Sequence, residues 1–473
     1  MGVGVRTSLH NSLHRLLTDF HVALVTIDML PDVSLLEIFD FCVKEQIKAW
    51  HRLVQVCRKW RDLIFASPRR LNLRLYCDVW TPVRETLDVW PLLPIFIKVD
   101  GDERWDLDNI IAALEHTDRV CGIELCPVSS LQVETVLAAM RHSFPELTLL
   151  ELRPKNGRAL VVPTSFLGGS APRLQTLVLD HISFPGLPKL LLSATNLSGL
   201  QLSNFPPSSY ISPEEMATCL SMLTRLERLI ILFKSPSSHL YRKSRRPPPP
   251  TPSLLPVLTR FNFKGVGEYL DDLVARIDAP LLDNLDVSFY PQLILETPQL
   301  AEFISRSPNL TTHDEARLVF FSWDVIIRLP QTFDGALELG ISCRHLDQQV
   351  SLLAQVCRSS FPRALISTVE HLYIDGYWRE WSQDESDEIQ SSQWLELLLP
   401  FTAVKHLYVS FDFTLDILPF MEELVGGRAT EVLPALQALF LEEPAQEEVI
   451  KQFIAARQLA SRPIAICRWE VER

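Results

Sequence analysis

The sequence predicts an α/β chain: a short helical N-terminal domain followed by a repeat solenoid with a curved parallel sheet. Three observations predict it. At 473 residues the chain is too long for one compact core. An apolar motif with offsets zero, three and five returns along most of that length, and turn residues stand just ahead of many copies. With 47% hydrophobic and 22% charged residues, the chain has enough apolar material to bury what the repeats present.

The motif occurs as Val120-Ile123-Leu125, Leu147-Leu150-Leu152, Leu174-Leu177-Leu179, Leu197-Leu200-Leu202 and Leu226-Leu229-Ile231. It continues as Leu258-Phe261-Phe263 and Leu282-Leu285-Val287, then as Val369-Leu372-Ile374, Val404-Leu407-Val409 and Leu436-Leu439-Leu441. Between Leu282 and Val369 lie two weak copies, one at Leu310 with His313 and Glu315 in the apolar slots, the other a partial Leu337-Leu339. In a strand, offsets three and five point to one face, and the offset-zero residue packs from the turn before it. One unit cannot cover that face alone, so copies must stack, each short strand pairing in parallel with the next. Pro145, Pro172, Thr195, Pro280, Pro308 and Pro434 stand two residues ahead of an offset-zero position, where a turn residue breaks the preceding helix. The return path of each coil is helical, as at 130–141, 213–223, 267–277 and 446–456.

From about residue 100 to the end this pattern resembles the leucine-rich repeat family. One departure stands out. The Asn that the family places eight residues after the first leucine is replaced by Ile182, Phe205, Val266, Tyr290 and Tyr377, so an irregular array without an Asn ladder is expected. Two stretches interrupt the period and are read as loops, 235–253 with Pro247 to Pro250, and 380–393 with its acidic composition.

The N-terminal signal is different in kind. Residues 1–27 are read as an extension, 28–75 as the helical domain and 76–473 as the repeat domain. Leu30 to Phe39 reads LPDVSLLEIF, with Pro31 at a first helical position and Leu35, Ile38 and Phe39 at helical spacing. Leu53 to Ile64 reads LVQVCRKWRDLI, with Val56, Trp60, Leu63 and Ile64 as its stripe. So small a bundle needs its apolar residues covered by a neighbour. The Leu-Pro opening, the Ile-Phe pair and the Val-Cys-Arg-x-Trp-Arg run together resemble the F-box, in the fungal F-box-like style. Phe41 to His51 departs from it, with Lys44, Glu45 and Lys48 where the family commonly places an Asp-leucine turn.

That resemblance implies a segment that docks on the Skp-type adaptor of a cullin-RING ubiquitin ligase through Leu30, Pro31, Leu35, Ile38, Phe39, Val56, Trp60 and Ile64, while the repeats select an unknown substrate protein. Two alternatives stay open: helices that merely cap the array, and a repeat scaffold for protein binding that is independent of the ligase.

On the repeats, offsets two, four and six point away from the core. In successive late coils these are His371, Tyr373 and Asp375, then His406, Tyr408 and Ser410, with Phe440 following, so stacking places His371 beside His406 and Tyr373 beside Tyr408. Aromatics on one open face mark a partner surface. A cross-strand ladder that stabilises the sheet is the alternative.

Other functions find little footing. A net charge of −13 opposes general binding to nucleic acid. Nine scattered cysteines without a CxxC pair suit neither a disulfide framework nor a zinc site. His10 and His14 lack a third ligand. No run reaches the ~18 apolar residues of a membrane span, and Arg6, His10, His14 and Arg15 precede any apolar run, unlike a secretory signal. Gly265-Val266-Gly267 lacks the third glycine of a dinucleotide loop, and Gly168-Gly169-Ser170 is not a nucleophile elbow. The expectation is a non-catalytic cytoplasmic or nuclear protein without metal or cofactor.

Overall fold

A computed structural model describes residues 30–43, 53–66, 73–76, 83–89, 94–100, 106–155, 160–205, 210–235, 249, 251–291, 295–311, 313–330, 335–377, 391–414, 421, 431–442 and 448–469. The N-terminal extension with His10 and His14, most of the proline-rich loop, and most of the acidic loop lie outside these residues.

Sixteen strands among the described residues form one sheet. They are β1 (Leu73–Tyr76), β2 (Ile95–Asp100), β3 (Val120–Val128), β4 (Leu149–Pro154), β5 (Thr176–Asp180), β6 (Gly199–Phe205), β7 (Arg228–Phe233) and β8 (Arg260–Gly265). Then come β9 (Asn284–Phe289), β10 (Glu315–Phe321), β11 (Asp324–Pro330), β12 (Ala336–Ser342), β13 (His371–Tyr377), β14 (His406–Val409), β15 (Ala438–Leu441) and β16 (Ala465–Arg468). The repeat motif accounts for the register. Ile123, Leu150, Leu177, Leu200, Leu229, Phe261 and Leu285 lie side by side across β3 to β9, each at most 1% exposed. Burying each such side chain contributes about 1.5–3 kcal/mol, so the row is the backbone of the fold's stability. The array reaches further than the motif. β1 pairs with β2, which puts Leu73–Tyr76 in the sheet and not in the helical domain assigned up to residue 75.

A hydrogen-bond ladder runs along the strand starts in place of the absent Asn ladder. The N–H of the residue after each turn leucine donates to the matching carbonyl of the previous coil, through Cys121, Thr148, Gln175, Ser198, Glu227, Thr259 and Asp283, at 2.7 to 3.0 Å. These groups would otherwise be unpaired beside the core.

The helices are fixed by local chemistry and by their neighbours. Helix Pro213–Ser221 begins with Pro213 in its first turn, and Ser212 Oγ accepts from the Glu215 N–H at 3.1 Å. The next coil's helix, Gly267–Val274, carries Asp271, whose carboxylate accepts from the Gln299 and Leu300 N–H groups at 2.8 and 3.1 Å. One coil thereby caps the helix Pro298–Arg306 of the following one.

The expectation of a wholly parallel sheet needs correction between residues 284 and 377. The strand order there is β9-β12-β11-β10-β13, and β11 runs antiparallel to both neighbours. The partial copy is the true successor of β9, with Leu337 beside Leu285 and Leu339 beside Val287. The damaged copy is shifted by three residues. Ala316 and Leu318 occupy the strand slots, beside Leu372 and Ile374, which leaves His313 in the turn position. There the imidazole is buried, with Nδ1 3.1 Å from the Pro330 carbonyl and Nε2 3.1 Å from the Leu310 carbonyl. The strand-start ladder confirms the shift: it resumes at Asp314 and passes to Glu370, Lys405, Gln437 and Ala465. The intervening β11 buries Val325, Ile327 and Leu329, so this meander is as apolar inside as the coils it separates.

The N-terminal helices are α1 (Asp32–Val43) and α2 (Arg58–Ala66). They share a small core of Leu35, Leu36, Phe39, Trp60 and Ile64, separate from the core of the sheet. Phe39 and Trp60 meet at a ring distance of 4.7 Å.

Candidate functional site: a helical pair and an aromatic sheet face

The eight carried-over docking residues divide into two groups. Leu35, Phe39, Trp60 and Ile64 are the core of the helical pair itself, so their side chains hold α1 against α2 and do not lie open. Leu30 is half-buried against that core and Pro31 is exposed, its carbonyl accepting from the Leu35 N–H at 3.0 Å to open the helix. Ile38 and Val56 are exposed, at 39% and 58%.

Val56 leaves the predicted stripe for a local reason. The helical turn 53–56 stops at Cys57, and α2 starts afresh at Arg58. Cys57 sits in the capping position, its Sγ accepting from the Trp60 N–H at 3.4 Å. Trp60 and Ile64 therefore share a face that Val56, on the far side of the break, does not. Sequence reasoning passed over Val33, Phe41 and Phe65, which are also exposed, Phe41 at 77%. A unit this small with five exposed large apolar side chains has the anatomy of an interface.

The second surface is the open face of the sheet. One lateral row of it reads Lys98, Glu124 and Glu151 over β2 to β4. In the middle the row reads Asn262, Asp286, Glu338 and Arg328, and it continues as Arg317, Tyr373, Tyr408 and Phe440 to end at Cys467. Its early and middle parts pair their charges internally. Lys98 meets Glu124 at 3.4 Å, Arg328 meets Glu338 at 2.6 Å, and Asn262 donates to Asp286 at 2.6 Å. Burial and the neighbouring Glu338 push Asp286 up to about 6, against the pull of Arg328 and Asn262.

The late part of the row is a stack of rings. Tyr373 and Tyr408 lie 4.2 Å apart and 9° from parallel, and Tyr408 and Phe440 lie 4.4 Å apart and 16° from parallel. His371 stacks on His406 at 4.6 Å in the adjacent row, so both expected neighbours are brought together. Burial lowers the His406 pKa, with His371 and Lys405 adding to it. Two residues that sequence reasoning missed complete the patch. The Arg317 guanidinium lies 4.6 Å from the Tyr373 ring while Nε donates to Glu315 at 2.7 Å. Trp469, beyond the last motif copy, stands 5.8 Å from Tyr373 and 5.6 Å from Tyr408, steeply tilted to both. Burial, with Glu315 and Tyr408, pushes the Tyr373 hydroxyl up to about 12, so it acts as a neutral phenol.

Asp375 lies one row beyond the rings. Burial raises its pKa, Arg317 opposes this, and Glu442 and Glu315 add to it. The Glu442 carboxylate is fixed by the Phe411 N–H, which donates to it at 2.9 Å. Asp375 and Glu442 thus stand as two carboxylates on the rim of the aromatic patch.

No family model matches the chain, and no curated protein does. Eleven solved chains match. Among them is the leucine-rich repeat-containing protein LegL7 from Legionella pneumophila, with 14% identity, a TM-score of 0.28, and coverage of 83% of this chain and 98% of that one. A likeness at that score carries no weight, and the repeat architecture stands on the strand register alone. Among the described residues no helix is long and apolar enough to cross a membrane.

Proposed function

We propose that this chain is a non-catalytic protein-binding receptor. The helical pair docks on a Skp-type adaptor of a cullin-RING ubiquitin ligase, and the open face of the sheet holds the protein to be ubiquitylated. The observation that carries this reading is the division of labour within residues 30–66. Leu35, Phe39, Trp60 and Ile64 close a core, while Val33, Ile38, Phe41, Val56 and Phe65 are left exposed around it. Apolar and aromatic anchors of that kind dominate helix-mediated interfaces. Ile38, Val56 and Phe41 are then the docking residues, and Trp60 positions them.

The full chain carrying Ile38→Asp, Phe41→Asp and Val56→Asp tests it against a purified Skp-type adaptor by pull-down. The wild type retains the adaptor and the triple variant loses it with an unchanged melting temperature. Failure of the wild type to retain the adaptor removes the ligase reading, and retention by the triple variant removes Ile38, Phe41 and Val56 as the docking residues. A scaffold independent of the ligase is favoured by a different observation: half of the residues shared with the F-box pattern are accounted for by internal packing alone. On that reading the wild type binds no adaptor, and loss of partner capture on Tyr373→Ala with Tyr408→Ala is the sole functional effect.

A further inference from the structure

We propose that the aromatic end of the sheet face takes a basic segment of a protein, a Lys or Arg side chain lying along Tyr408 and Phe440 with its charged end between Asp375 and Glu442. The inference rests on the reading of this face as the partner surface and names what the partner presents.

The ring geometry sets the first constraint. Tyr373, Tyr408 and Phe440 turn their faces to one another, so an incoming group meets ring edges and a continuous apolar slab, with Trp469 tilted beside it. A long aliphatic stem lies well on such a slab while its polar end reaches past the rim. The π-face of Tyr373 already carries a guanidinium, that of Arg317.

Charge sets the second constraint. Arg317 is engaged by Glu315, and among the described residues no hydrogen bond or ion pair reaches the Asp375 carboxylate. Asp375 is half-buried and repelled by Glu442, whose own orientation is held by the Phe411 N–H. Two carboxylates so placed, one fixed by a backbone N–H and the other reached only by the electrostatic pull of Arg317 among the described residues, suit a cation and reject an acidic or phosphorylated segment. A purely apolar occupant would strip water from both without replacing it. The net charge of −13 adds a long-range bias in the same direction.

The experiment is fluorescence anisotropy with the full chain and two labelled nonapeptides, one alternating Arg and Gly, the other Glu and Gly. The Arg peptide binds and the Glu peptide does not. Asp375→Asn and Glu442→Gln, both close in shape to the native residue, each weaken binding about tenfold, the scale of one charge-assisted contact. Tyr408→Ala weakens it comparably, and Glu134→Gln, an exposed acid on the helix Ser130–Ala139, leaves it unchanged. Equal losses in Glu134→Gln and Asp375→Asn show general attraction to an acidic chain and overturn the proposal, as does unaltered binding by Asp375→Asn with Glu442→Gln. If the Arg peptide stays unbound while Tyr373→Ala with Tyr408→Ala still abolishes capture of the natural partner, the partner surface stands and the basic class falls. Capture retained by that double variant removes the surface itself.

Discussion

The helical pair and the sheet domain treat apolar side chains in opposite ways. In the sheet, each coil hands its leucines to the next, and the rows from Ile123 to Leu285 are closed on both sides by equivalent neighbours. In the pair, five buried side chains make the core among the described residues, and as many large apolar ones stay exposed. Stacking satisfies a repeat from within the chain, whereas the described N-terminal helices have no second copy to lean on and present their surplus outward.

Four variants break or sharpen that contrast. The largest effect is expected from Leu285→Asp, which places a carboxylate in the fully buried row between β8 and β12. A loss of more than about 4 kcal/mol follows from burying an unpaired charge, read as a collapse of the urea midpoint for the whole sheet. Trp60→Ala removes the largest side chain of the small core at a cost of roughly 3–5 kcal/mol. Because that core is separate, the Trp60 variant loses the helical pair and adaptor capture together while the sheet melts at its usual temperature. A shift in the sheet transition shows that the two regions are coupled.

Asp286→Asn acts within the sheet and in the opposite direction. The folded carboxyl titrates at about 6 against an ordinary 3.8, so the native state binds its proton more tightly than the unfolded chain. That contribution is fully present below the ordinary value and is lost as pH rises through 6. The amide, which keeps an acceptor for Asn262 without the charge, is expected to stabilise the chain at pH 7 by roughly 1–2 kcal/mol after allowance for screening, and by much less at pH 4. Thermal melts at the two pH values check it. The smallest effect on stability belongs to Ile38→Asp with Phe41→Asp, within about 0.5 kcal/mol because both side chains are exposed.

The repeat rows were legible because each triplet is a local pattern with a turn before it, and all ten complete copies lie in the core. The meander was not. Its antiparallel strand, Asp324–Pro330, buries Val325, Ile327 and Leu329 by simple alternation and carries no offset-three signature. The pairing of β12 with β9 skips two strands in sequence, which no local pattern reveals. The register error at Leu310 hid Arg317 as well, since Ala316 and Leu318 were not recognised as slots. β16 carries no copy of the motif, because Arg468 fills a position that Leu441 fills in the previous coil. In the helical pair, spacing alone extended one stripe through Cys57, and only the capping contact with Trp60 shows where the helix restarts.

The crossed order of β9, β12, β11, β10 and β13 governs how such a chain can change its length. A plain solenoid gains or loses units freely, since every coil offers the same surface to whichever follows. Across residues 284–377 that freedom ends. β9 is completed only by β12, β13 only by β10, and β11 alone bridges them, so excising any one of the three central strands leaves a mismatched edge. The flanks can be trimmed or duplicated coil by coil, while the seam between them is inherited whole or lost.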